Sequence, residues 1–240
     1  MEISATSHAK SRNFSSGKIF RPHELPTMTD ETLLPKRYHH GSLPEALLAA
    51  AEAVLLRDGI SGLGLRAIAR EAGVSHTAPK HHFDDTTGLV SELAAVGYRR
   101  LGDAMRDAAA GSTETRERRN AIARAYVHFA HDNPAMFGLM FRNEKIDMER
   151  PALSEASHEA MRVMAAVIGA RNEPPGGAPV SLSSGEAMRI TAAWGYVHGL
   201  AILLVDQRLR GIVKVAPDFE SPIDLVDKAL SDVRFGFEAG

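Results

Sequence analysis

The 240-residue sequence contains no cysteine. That excludes a disulfide framework and any thiolate metal centre, and it fits a reducing cytoplasm. Excess charge of one sign is also missing: the formal net charge is −2. A chain so balanced does not hold nucleic acid by bulk charge alone, although placed cations and helix N-termini can still grip phosphate. No apolar run reaches the ~20 residues a membrane-spanning helix needs. The longest, Ile190 to Val205, is interrupted by Thr191 and His198. The N-terminus shows no apolar stretch followed by a cleavage site, as a secretory signal would. Repeats of solenoid period, convincing strands, and the HExxH, P-loop and GxSxG motifs are all absent, so nothing in the chain points to an enzyme.

What remains is helical. Hydrophobic residues make up 44% of the chain, ample for a sizeable core. Residues 1–36 are rich in Ser, Thr, Lys, Arg and Pro without periodicity and read as a disordered arm, with Met28 as a candidate true start. From Ser42 onward the pattern predicts nine helices. The first, over 43–57, has a capping box from Ser42 and Glu45 and a stop at Gly59. Two short helices follow. Longer ones are predicted over 86–109, 115–132, 134–141, 151–170, 184–209 and 221–237. Asn133-Pro134 ends the 115–132 helix, and Asp84 and Asp85 favour the start of the 86–109 helix.

The two short helices carry the most information. In LRAIAREAGVSHTAPKHHF, residues 65–83, apolar Leu65, Ile68, Ala69 and Ala72 fall at helical spacing. Gly73 supplies a sharp turn, and Ser75 is the expected N-cap of the second helix. Pro79 would then sit just past the first turn and forgo a bond to the Ser75 carbonyl. Ser75, His76, Thr77, Lys80 and His81 present polar groups able to meet base edges and phosphates. This is the pattern of a helix-turn-helix DNA reader.

The stretch YHHGSLPEALLAAAEAVLLRDGISGLGLRAIAREAGVSHTAPKHHFDDTTGLVSEL, residues 38–93, resembles the DNA-binding unit of the TetR (tetracycline-repressor-like) family. YVHFAHDNPAMFGLMFR and AWGYVHGLAILL resemble a subgroup with a Trp–His–Gly signature in its C-terminal domain. The resemblance implies an all-α homodimer: an arm at 1–36, a helix-turn-helix domain at 37–85, and a helical effector and dimerisation domain at 86–240. It places Ser75, His76 and Thr77 at base edges, and Lys80, His81 and Thr86 at phosphates. Tyr38 and His39 are expected among the DNA contacts, and His39 and His40 either help the arm approach DNA or are merely solvated. Three positions depart from the family pattern. Lys80 stands for a common tyrosine, Thr86 for a common lysine, and Gly64 for a Ser/Thr cap; a Gly cap costs only a few tenths of a kcal/mol.

Further signals concern the body. Met136, Phe137, Met140, Met161 and Met164 form an adaptable apolar set, and with His128, Trp194 and His198 they are the expected contacts of a small, apolar effector. Most such residues in any protein are simply core. The helix at 184–209 is apolar nearly all round, which predicts burial between neighbours. Gly195 and Gly199 share one of its faces, where another backbone could come close. Ile223, Val226, Leu230, Val233 and Phe237 form a near-heptad stripe suited to a dimer interface, or to packing on their own subunit. Five of the eleven histidines lie between His39 and His82. Adjacent pairs cannot put both rings on one helix face, so no metal or other cofactor is expected; His82 is expected to pack under the turn. The function expected is a cytoplasmic regulator, most often a repressor, released from a palindromic double-stranded operator by its effector. The alternative is a helical ligand-binding protein whose DNA head no longer binds strongly.

Overall fold

Apolar residues at three- and four-residue spacing generate an all-helical architecture, described by a computed structural model over residues 42–111, 113–142, 144–167 and 182–232. The order is α1 (Leu43–Asp58), a 3₁₀ turn (Ile60–Gly62), α2 (Leu65–Ala72), α3 (Ala78–Phe83), α4 (Thr86–Ala110), α5 (Thr115–Asp132), α6 (Pro134–Arg142), α7 (Pro151–Val167), α8 (Ser184–Val205), α9 (Arg210–Val215) and α10 (Pro222–Asp232). No strand occurs among the described residues. The arm, Met28, Tyr38, His39, Val233 and Phe237 lie outside them.

α4 organises the fold. Its N-terminal part meets α1 and α3, and the rest packs against α5, α6 and α7. Leu89, Leu93, Leu101 and Met105 supply its fully buried ridge. α1 buries Leu47, Ala51, Val54 and Leu55 beneath the head, and its capping box forms as the sequence predicts. Arg100 of α4 grips Glu52 of α1 with both guanidinium nitrogens.

Three boundaries differ from expectation. The second short helix begins at Ala78 with Thr77 as its N-cap, not at Ser75. Ser75 instead closes a turn: its carbonyl accepts from Ala78 N at 3.1 Å, and its hydroxyl lies 3.1 Å from that of Thr77. Pro79 therefore falls in the first turn, where its missing N–H costs nothing, and its ring is buried. Asp84 is not part of the start of α4. It ends α3 in positive-φ backbone (φ 67°), and Asp85 is the cap, accepting from Gly88 N at 2.8 Å.

The third difference is α8. It stops at Val205, four residues early, and a separate helix α9 follows. Gln207 adopts φ 58°, and Gln207 N and Arg208 N bond back to the Leu204 and Leu203 carbonyls. This is the Schellman closure usually reserved for glycine. Arg142 of α6 fixes the corner through a bidentate pair with Asp206 at 2.7 and 2.9 Å.

Burial of α8 also departs from the expectation. Ile190, Val197, Ala201 and Leu204 are buried, but Met188 and Leu203 are exposed, and nothing lies within 4 Å of a Cβ built on Gly195 or Gly199. By length and apolarity alone α8 could cross a membrane. Its polar attachments argue against that: a capping box at Ser183 and Glu186, and His198 tied to α5.

Candidate functional site

The helix-turn-helix is built from sequence upward. α2 lays Ile68 and Ala69 into the core. Gly73 ends it at φ 68°, ψ 30°, left-handed backbone that glycine adopts without strain. Gly73 N and Val74 N return to the Arg70 and Ala69 carbonyls, completing a tight turn. α3 is anchored by buried Pro79 and Phe83. Gly88 is required where α3 meets α4, since a Cβ there would fall 2.0 Å from the Phe83 carbonyl oxygen.

Anchoring one face of α3 leaves the other free. Ser75, His76, Thr77, Lys80 and His81 are all exposed, and Thr86 is half-buried at the start of α4. His76, Lys80 and His81 make no ion pair among the described residues. His82 does not pack under the turn: it is exposed, with its ring edge toward Phe83 at 6.4 Å.

In the body, a cavity of about 250 Å³ opens between α4, α5, α7 and α8. Tyr98, Tyr126, Phe141 and Trp194 give it aromatic walls, and Met105, Met148, Met161 and Met164 line it with thioethers. Its polar groups are few. Ser157 is turned back onto the Ser154 carbonyl at 3.0 Å. Tyr126 Oη lies 2.8 Å from His198 Nδ1 and accepts from Trp194 Nε1 at 3.4 Å. Burial pushes the Tyr98 phenol up to about 12 and raises that of Tyr126 further. Burial, then the nearby Arg142, hold His198 below the ordinary histidine range. Both phenols and the imidazole are thus neutral at pH 7, and the Tyr126 hydroxyl and His198 Nδ1 share a hydrogen bond between uncharged partners. A separate, charged concavity of about 350 Å³ lies on the α4–α7 surface.

Two family models match the chain. One, bacterial regulatory proteins of the tetR family, covers residues 47–93; the other, the tetracyclin repressor-like C-terminal domain, covers residues 120–226. This chain belongs to the TetR family. It is a DNA-binding transcription regulator with a ligand-binding C-terminal body. A protein of unknown function from Rhodococcus sp. RHA1 is 34% identical, with 82% of this chain and 95% of that one covered and a TM-score of 0.63. A tetR family transcription regulator from Shewanella sp. PV-4 shares the fold at 19% identity, covering 78% and 95%, with a TM-score of 0.54. The transcriptional regulator FadR from Bacillus subtilis, solved with stearoyl-CoA, does so at 10% identity, covering 78% and 95%, with a TM-score of 0.56. No curated protein matches the chain.

The cavity brings together only part of the expected effector set. Met161, Met164 and Trp194 line the cavity. Met136, Phe137 and Met140 do not: they are almost wholly buried core, and the two sulfurs close onto Gly97 of α4. His128 faces the opposite way and bonds both Asp227 oxygens on α10 at 3.1 Å. His198 stands behind Tyr126 rather than in the lining. Tyr126 is the residue that sequence reasoning missed. It sits two positions before His128, about 200° round a helix, and either residue could have faced inward.

The near-heptad stripe on α10 is likewise spent largely at home. Val226 and Leu230 are buried in the chain's own core, which is the intramolecular packing the stripe also allowed, and Ile223 is half-buried. Two cations on α2 were also missed. Arg66 and Arg70 are exposed, share one face, and make no ion pair among the described residues.

Proposed function

We propose that this regulator is a homodimeric repressor that leaves a palindromic operator when a small apolar molecule fills the cavity of each subunit. The exposed turn at residues 75–77 and the free face of α3 that follows it carry this reading. Ser75, His76 and Thr77 read base edges. Lys80 and His81, with the N-terminus of α4 at Thr86, hold phosphates, and Arg66 and Arg70 add charge where the usual α4 lysine is missing. Two such heads one helical turn apart, about 34–36 Å, match a pseudo-palindrome. It acts in the cytoplasm, where its DNA is. Tyr38 and His39 guide the arm toward the duplex.

The second copy is assigned to α8. Exposed Met188, Ala192, Gly195 and Leu203, with half-buried Gly199, form one stripe that a partner's α8 would cover, and Gly195 and Gly199 let the backbones approach. Half-buried Ile223 of α10 is the described residue of the stripe left for that surface; Val233 and Phe237 lie outside the described residues. The wasted apolarity of α8 supports this reading over a lone chain.

The segment 144–150 supplies a route from cavity to head. Met148 lines the cavity, and Asp147 N donates to buried Ser91 Oγ at 2.9 Å. Arg150 reaches Glu92 at 3.1 Å and Asp84, the residue that ends α3, at 3.6 Å. A ligand that moves Met148 would bias the orientation of α3, and differential affinity of the two orientations for DNA is what release requires.

Binding-site selection with base-reader variants tests the proposal. His76→Ala or Thr77→Ala should relax base preference by about 1–3 kcal/mol at the contacted positions. Lys80→Ala should weaken all sequences alike and flatten the salt slope by about one. An unchanged ranking of sequences in both reader variants would remove α3 from the role of reader.

A further inference from the structure

The geometry points to an effector that is uncharged, largely apolar and small, of about ten non-hydrogen atoms; this rests on the cavity being the effector site. Three observations converge. First, no carboxylate, amine or guanidinium lines the cavity, and its one imidazole, His158, is exposed at the rim with Nδ1 3.5 Å from Ser154 Oγ. A charged group enclosed there would lose its hydration without gaining a counter-ion, which is far costlier than burying a neutral one.

Second, three guanidinium groups near the wall, Arg142, Arg106 and Arg162, are already held by carboxylates. Arg142 is held bidentately by Asp206. In the neighbouring charged concavity Arg106 pairs with Asp103 and Glu159, and Glu159 also takes Arg162. The buried Tyr126–His198 pair stays neutral, so it offers hydrogen bonds and no charge to a ligand.

Third, the volume is small. A cavity of about 150 Å³ holds benzene, so about 250 Å³ suits a molecule roughly 1.7 times as large, on the order of ten non-hydrogen atoms. A long acyl chain with a nucleotide head, as bound by the Bacillus subtilis relative, exceeds it. Aromatic walls and mobile thioethers suit a flat or ring-bearing occupant.

The chain carries one tryptophan, and it forms part of the cavity wall. Fluorescence of Trp194 in the full-length protein therefore reports occupancy directly. Three matched probes are phenylpropanol, phenylpropanoate and phenylpropylamine, titrated at pH 7.5. The alcohol should bind at least about tenfold more tightly than either ion. In Met161→Arg, where a long cation is placed at the half-buried rim, the preference should shift toward the carboxylate. If phenylpropanoate or the ammonium matches the alcohol in the unmodified protein, for instance by reaching Arg99 in the adjoining groove, the inference fails and the effector-site reading stands. If the probes bind by calorimetry yet leave Trp194 unchanged, or none binds at all, the effector-site reading fails with it.

Discussion

Single residues decide how the head and the cavity are tuned. Trp194, Tyr126 and His198 form a chain across the α5–α8 contact, and the His198 ring also packs near Phe141 and Phe137 at 4.9 and 5.5 Å. Burial keeps that imidazole neutral when folded. As pH falls through about 6.5, the unfolded chain takes up the proton first. The contribution of His198 to stability is therefore complete above that pH and is lost as pH drops toward its depressed folded-state value. Thermal melts should show Tm declining from pH 7 to 5.5, and His198→Gln should flatten that decline. An identical slope in the variant would show that His198 does not titrate differently in the two states.

The same residues mark how far sequence reading reaches. Ser75, His76, Thr77, Lys80 and His81 are legible as surface residues, the last two because a short helix anchored by Pro79 and Phe83 has one free face and the first three because a polar turn leads into it. Tyr126 was not anticipated, and His128 was placed in the effector set, because α5 is apolar on more than one side. Nothing local states which side meets α8 and which meets α10. Met136, Phe137 and Met140 were equally ambiguous: an apolar residue near a cavity and one in solid core look alike in sequence.

At the level of elements, α1 to α7 were legible because each start or stop carries chemistry. Ser42 and Glu45, Gly59, Gly73, Asp85 and Asn133-Pro134 all act as predicted or within a few residues of it. The break between α8 and α9 was not legible. No Gly or Pro marks it, and the left-handed turn at Gln207 depends on a tertiary pair, Arg142–Asp206. The segment between α6 and α7 was hidden for the same reason, since its meaning lies in what Asp147 and Arg150 touch. Arg150→Gln tests that meaning. The variant should bind ligand and operator separately with near-normal affinity, while the ligand's effect on DNA affinity, ordinarily about 1–3 kcal/mol of coupling, shrinks toward zero. Coupling retained in full would remove Arg150 from the route.

For the molecule as a whole, the proposed dimer rests on the apolar face of α8. Gly195→Leu places a branched side chain where a second backbone would approach. Sedimentation at micromolar concentration should shift from dimer toward monomer, with operator affinity falling in parallel because two half-sites no longer act together. A variant that remains dimeric would move the interface off this stripe. The near-neutral charge of the chain belongs to this scale too, since it leaves specific contacts rather than a bulk field to hold DNA.

The most direct test is a fluorescence-anisotropy titration of the full chain against an inverted repeat from the DNA beside its own gene, with the same bases shuffled as competitor. Specific recognition predicts that the native repeat binds about a thousandfold or more tightly than the shuffled one at physiological salt. Equal affinity for the two would contradict the account and leave a helical ligand-binding protein with a silent DNA head.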